Sequence, residues 1–258
     1  MQASFGMKWL GLVLFIVFTP GLGQAQVLGH SHNDYEQKRP LIQAIELGFI
    51  SVEADVHETD GQLMVSHGKP GSKSPTLAGL YLRPLDSLIK VRGSVFGAGD
   101  TTSLLLMIDF KTDADRTYNT LKRELAAFPL LVCKPTSCPV RLFVSGNRPV
   151  EMLRKENFPV ALDGRPGDLG GNFRNDQVPV ISDHYRNWCS WNGTGEPDSA
   201  AFDKIRDLAK RVHAENKRLR LWAIPDHEKA WRLLIEAGVD LINTDRLEAF
   251  YRFREAYR

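Results

Sequence analysis

Eight short runs of β-branched and other apolar residues recur along the chain, each followed by a longer segment, and this alternation restricts the fold more than any other feature. The runs are Val27 to Gly29, Ile50 to Val56, Leu104 to Phe110, Val140 to Ser145, Val160 to Leu162, Val178 to Ile181, Leu219 to Ile224 and Val239 to Ile242. Apolar spacing between them predicts helices over Pro40 to Leu47, Leu85 to Lys90, Arg116 to Ala127, Val150 to Glu156, Ser199 to Glu215 and His227 to Ala237. Gly48 and Gly238 follow two of these as helix stops just ahead of the next strand. The pattern predicts an α/β fold, a single (β/α)8 TIM barrel over residues 26–258 with its active site at the C-terminal mouth. A doubly wound open sheet is the competitor, but no Gly-rich phosphate loop follows the first run. The weak link is Gly164 to Gln177, which is Gly-rich and shows no apolar period.

Residues 1–25 are set apart. Lys8 is the only charged side chain, Trp9 to Phe18 is continuously non-polar, and Pro20 then breaks the run ahead of Gly23 and Ala25, small residues at −3 and −1 from Gln26. This is the pattern of a cleaved secretory signal peptide, and the apolar run is too short to span a bilayer. The expected location is secreted or periplasmic, with no stable membrane span after cleavage. A formal net charge of +2 argues against a nucleic-acid partner. In an oxidising compartment Cys133 and Cys138, which bracket Lys134 to Ser137, are expected to close a local disulfide, with Cys189 a buried thiol between Trp188 and Trp191.

In a barrel, catalytic side chains sit at or just after the C-terminal ends of strands. The first run leads into His30-Ser31-His32-Asn33-Asp34, the second contains Glu53-Ala54-Asp55, the third leads into Asp109-Phe110-Lys111, and the fifth is followed by Asp163. Glu53 and Asp55, two apart on a strand, share one face, so the pair needs a proton or a cation. Hard oxygen ligands suit one divalent cation, Mg2+ or Ca2+, and Asp109 can complete the set. After the second strand, Asp60-Gly61 predicts a hairpin whose returning strand, Gln62 to Ser66, ends at His67. His30 and His67 around such a cation have the chemistry of a general base and a general acid for displacement at phosphorus.

The run Gly29-His30-Ser31-His32-Asn33, then Glu53-Ala54-Asp55, then Asp60 to His67, resembles the N-terminal signature of the glycerophosphodiester phosphodiesterase and phosphatidylinositol phospholipase C-like superfamily. His30-Ser31-His32-Asn33-Asp34-Tyr35 is most similar to the branch of altered inheritance of mitochondria protein six, and the likeness extends through Asp109-Phe110-Lys111, Leu221 to Ile224 and Gly238 to Asp245. The resemblance implies a metal-dependent phosphoric diester hydrolase acting on a small-molecule or lipid head-group phosphodiester. It assigns His30 and His67 to acid/base chemistry and Glu53, Asp55 and Asp109 to the metal. Lys111 holds the phosphate in that scheme, with Asn33 and Trp222 as further substrate-binding candidates. The superfamily's Arg after the first His is Ser31 here, and its Pro-Glu-Asn-Thr stretch is missing, so glycerophosphodiesters themselves are not assigned as substrates.

Two rivals stay open. His30-x-His32 is also how amidohydrolase-type and related metal-dependent enzymes hold an ion, with His184 and Asp245 available as further ligands. A barrel that binds head groups without turnover, using Trp188, Trp191 and Trp222 as stacking surfaces, is the other. The basic stretch Arg206 to Arg220 reads as a solvated helical face and Tyr251 to Arg258 as a closing helix. Thiol labelling of the exported, non-reduced and unfolded protein should count one free thiol by mass; three labelled thiols would reject the disulfide.

Overall fold

The computed structural model describes residues 27–132, 138–156, 158–171 and 173–257. The expected signal peptide and Cys133 lie outside the described residues. Among these residues nine strands form: β1 (Leu28–Ser31), β2 (Ser51–Thr59), β3 (Gln62–Val65), β4 (Leu104–Phe110), β5 (Val140–Gly146), β6 (Ala161–Gly164), β7 (Val180–His184), β8 (Arg218–Trp222) and β9 (Leu241–Thr244). Eight run parallel, and β1 pairs with both β2 and β9, so the sheet closes on itself as the alternation predicts. β3 is the hairpin strand, antiparallel to β2 and bridged on its other side at Met64 to Thr76. Its turn residues Asp60 and Gly61 have φ of 49° and 82°, the two left-handed positions that a two-residue hairpin demands.

Among the described residues seven α-helices accompany the barrel: α1 (Ile42–Glu46), α2 (Arg83–Arg92), α3 (Ala114–Leu125), α4 (Val150–Lys155), α5 (Ser199–Ala214), α6 (Glu228–Glu236) and α7 (Leu247–Ala256). The missing one falls where the periodicity fails, since β6 and β7 are joined through a short 3-10 helix, Pro166–Asp168, and further turns, with no α-helix there among the described residues. Predicted and observed ends differ by a few residues. The largest shift is in the closing helix, which begins at Leu247, because Phe250 and Phe253 must reach the Trp231 ring of α6 at 5.2 and 5.5 Å.

Strand alternation divides the molecule into two cores. Val52, Ala54, Val56, Leu104, Leu106 and Ile108 face outward and bury against Tyr81, Leu85, Tyr118 and Leu121. Ile50, Leu105, Met107, Phe143, Ala161, Val180 and Leu241 fill the lower barrel interior, with Leu28 and Phe96 packed against them. One step further along the same inward rows the side chains become His30, Glu53, Asp55, Asp109, Ser145, Asp163, Ser182, Arg220 and Asn243. The barrel axis thus passes from an apolar floor to a polar mouth.

The same alternation corrects the reading of Arg206 to Arg220. α5 ends at Ala214, and Arg220 on β8 is only 3% exposed, its side chain turned into the barrel with Trp222. Cys138 is disulfide-bonded, and Cys189 is a free, buried thiol. Because Phe143 is fully buried in the barrel floor, Phe143→Ala should cost about 3–5 kcal/mol. Urea denaturation should show this as a lowered midpoint with an unchanged slope.

Candidate functional site

The mouth of the barrel holds a cleft of about 460 Å³ lined by His32, Asn33, Glu53, His67, Asp109, Lys111, Asp163, Arg165, Arg220 and Trp222, among others. Its acidic floor is set by register. β2 and β4 pair Asp55 with Asp109, and Glu53 lies two residues earlier on the same face of β2. One oxygen from each of Glu53, Asp55 and Asp109 falls within 4.8 Å of the others, and among the described residues this is the only such group with potential to hold a metal. Asp55 Oδ1 is buried without a hydrogen-bond partner, and Asp109 Oδ1 meets only the Lys111 ammonium at 3.3 Å. Three hard oxygen donors with unsatisfied lone pairs fit a divalent cation such as Mg2+ or Ca2+.

The floor is partly neutralised by the chain itself. Arg220 Nη2 donates to Glu53 Oε2 at 2.7 Å while its Nε donates to Asn243 Oδ1 at 3.0 Å. Burial pushes the Glu53 carboxyl up, but Arg220 and the His30 hydrogen bond outweigh it and hold the group well below the usual range. Lys111 Nζ lies 3.1 Å from Asp55 Oδ2; burial pulls its pKa down, and the charges of Asp109 and Asp55 more than restore it. Asp109 has only the same Lys111 ammonium, at 3.3 Å. Burial, followed by repulsion from Glu53, raises its carboxyl to about 6 despite Lys111.

The two imidazoles occupy unlike surroundings. His30 is fully buried, with Nδ1 2.7 Å from Ser51 Oγ and Nε2 2.9 Å from Glu53 Oε2. Burial and the Arg220 charge lower its pKa to about 4, so the ring is neutral at pH 7. His67, at the end of the hairpin, is 68% exposed; Asp55 Oδ2 lies 3.1 Å from its Nδ1 and leaves Nε2 free of hydrogen bonds. Asp55 also accepts from the Tyr35 hydroxyl at 3.0 Å, a side chain reached after Asn33 turns the chain out of β1 at φ 44°.

Strand alternation separates the residues of the first motif. Ser31 points away from the cleft and donates to Asp34, which is buried and also accepts from Tyr81, so both serve as scaffold. His32 contacts Asp245 Oδ1 at 2.8 Å; burial lowers its pKa, but that contact and the Glu53 charge produce a net rise. His184 packs edge-on against the Trp222 ring at 4.2 Å. The His30-x-His32 pair is therefore committed to separate carboxylates and forms no metal group among the described residues.

The structure thus gathers all eight predicted side chains, His30, His67, Lys111, Asn33, Trp222, Glu53, Asp55 and Asp109, in or directly beneath one cleft. Arg165 and Arg220 were missed. Arg165 Nη1 donates to Asp163 Oδ2 at 2.7 Å, and Asp163 in turn accepts from Ser145 at 2.8 Å and Ser182 at 2.6 Å, a polar stretch of wall one strand away from Lys111. Arg220 was signalled by its i, i+2 relation to Trp222 on β8; Arg165, which lies in the Gly-rich stretch without period, had no such signal.

Residues 23–131 match the AIM6-like phosphodiesterase domain, and residues 218–248 match the Glycerophosphoryl diester phosphodiesterase family. Among curated proteins, the chain is 28% identical over 266 residues to altered inheritance of mitochondria protein 6 of Eremothecium gossypii, covering 87% of this chain and 68% of that one. A homolog of that protein from Arthroderma benhamiae is 25% identical over 256 residues, covering 85% and 81%. A glycerophosphodiester phosphodiesterase from Parabacteroides distasonis has a similar fold, with a TM-score of 0.60 at 17% identity over 91% of this chain and 98% of that one. The resemblance carried by His30 to His67 is borne out, down to the branch.

Gly146 fixes the position of Asp109. It has φ +65°, and a Cβ there would stand 2.1 Å from Asp109 Oδ1 and 2.4 Å from the Phe110 carbonyl oxygen. Gly146→Ala should destabilise the protein by about 1–3 kcal/mol through strain and this collision, measurable by chemical denaturation.

Proposed function

We propose that the protein is a metal-dependent phosphodiester hydrolase acting on a small-molecule or lipid head-group phosphodiester outside the cytoplasm. The observation that carries this is the convergence of Glu53, Asp55 and Asp109 at the base of a cleft lined by His67 and Lys111, with His30 buried against Glu53. The matches to two phosphodiesterase families support it. The disulfide at Cys138, together with the leader-like first 25 residues, supports an oxidising compartment.

Glu53, Asp55 and Asp109 would hold one Mg2+ or Ca2+, which supplies Lewis-acid polarisation of the phosphate when bound. Lys111 after β4 and Arg165 after β6, one strand apart around the mouth, grip the phosphate oxygens as negative charge grows on them. Arg165 thereby supplies the guanidinium that Ser31 cannot. His30, neutral at pH 7, is assigned as the base that takes the proton of the nucleophile, either water or a hydroxyl neighbouring the phosphoester, a role that requires one ring nitrogen to give up its contact with Glu53 or Ser51. His67, oriented by Asp55 through Nδ1, presents Nε2 to protonate the leaving oxygen. Attack by a neighbouring hydroxyl gives a cyclic phosphate; attack by water gives the monoester directly. Asn33 and the exposed Trp222 border the space left for the leaving group.

The test is turnover of bis-nitrophenyl phosphate, glycerophosphodiesters, phosphatidylinositol and lysophospholipids with and without Mg2+ or Ca2+. His30→Ala and His67→Ala should each lose about 10²-fold to 10⁴-fold in turnover with metal still bound. Glu53→Ala and Asp55→Ala should lose activity and metal dependence together. No turnover of any diester, with head groups still bound, would instead identify a receptor. Loss of metal in His32→Ala alone, with His67→Ala fully active, would assign the His-x-His chemistry.

A further inference from the structure

The opposite end of the barrel contains a second cavity, about 450 Å³, lined by Leu28, Ile50, Thr102, Ser103, Leu105, Arg141, Asn175, Pro179, Asn216 and Arg218. Arg141 on β5 and Arg218 on β8 are the inward-facing residues two positions before Phe143 and Arg220, so alternation turns both guanidinium groups into the barrel base. Among the described residues no carboxylate lines this cavity.

Neither cation has a carboxylate of its own. The nearest acids are Asp176 for Arg141 and Asp240 for Arg218. Asp176 is held on both oxygens by Arg174, at 2.9 and 2.8 Å. Asp240 is held through one oxygen by the Leu219 amide at 2.7 Å and His213 at 2.8 Å. Arg141 donates through Nη2 to the Asn175 carbonyl, while its Nε is buried with no partner. Arg218 makes no side-chain hydrogen bond or ion pair among the described residues. Burial lowers the pKa of both, and Arg218 lowers that of Arg141 further, so the two groups are close enough to repel.

Two partly buried guanidinium groups that repel one another across an acid-free cavity have the charge and fork geometry for a shared oxyanion. We propose that the base of the barrel is an anion site, in which Arg141 and Arg218 bind a small tetrahedral oxyanion of the inorganic phosphate type. The site lies on the face of a barrel associated with stability, and its occupancy ties β5 to β8 across two intervening strands. It is independent of any turnover at the other mouth.

The experiment is equilibrium dialysis of inorganic phosphate against the metal-free full chain, with ionic strength matched by chloride, for the wild type and for Lys111→Gln, Arg141→Gln and Arg218→Gln. Binding at the base should survive Lys111→Gln, which disables the upper cleft, and weaken about 10-fold or more in each Arg variant. Thermal unfolding supplies a second measurement. Saturating phosphate should raise the wild-type Tm by about 2–4 °C and leave the Arg variants unmoved. Without phosphate, those variants should be at least as stable as the wild type, because the repulsion is gone. Arg141→Lys, which keeps the charge and loses the fork, should fold and still lose most of the phosphate effect. Phosphate binding that is unchanged in the Arg variants, or that disappears with Lys111→Gln alone, would overturn the proposal.

Discussion

Three carboxylates gathered in the mouth of one barrel set the terms for nearly everything around them. Buried like charges repel, and the chain answers with a different device at each. Glu53 is clamped by Arg220 and His30 on one oxygen. Asp55 takes Tyr35, His67 and Lys111 on one oxygen and keeps the other bare. Asp109 receives least, and its carboxyl is the one raised to about 6. The arrangement satisfies enough of each group to keep the cluster folded and leaves oxygens unspent for an added cation.

Such a cluster needs a rigid support, and the interior layering provides it. The apolar floor fixes the spacing of β2, β4 and β5, so that Asp55, Asp109 and Ser145 stand abreast by register alone. The outer core around Tyr81 and Tyr118 then holds those strands against the helices. Gly146 belongs to the same support, since only a residue without Cβ lets the chain pass close to the Asp109 carboxylate.

Much of this was legible in the sequence because the relevant information is local. Glu53 and Asp55 share a face by the two-residue repeat, Asp60-Gly61 declares the turn that delivers His67, and the eight apolar runs declare the barrel. The helix absent between β6 and β7 also left its mark as missing periodicity in Gly164 to Gln177. What escaped is non-local. Arg220 meets Glu53 across 167 positions, and its neighbours in a basic run disguised it as a helix surface. The need for glycine at 146 exists only once Asp109 has been placed beside it. Arg165 sits in a segment whose composition carries no period, so nothing along the chain marks it as facing a cleft.

The hairpin that carries His67 is bonded to β2 and is not one of the strands that close the barrel. Its side chain and the acidic floor therefore belong to separable parts of the architecture. The separation is one of strand closure only: Leu63 and Val65 are buried in the outer core and the Leu63 amide donates to Glu124 Oε1, so the hairpin is packed onto the barrel wall. The position of the exposed imidazole relative to the carboxylates is thus set by the register of the hairpin, independently of how the eight strands close.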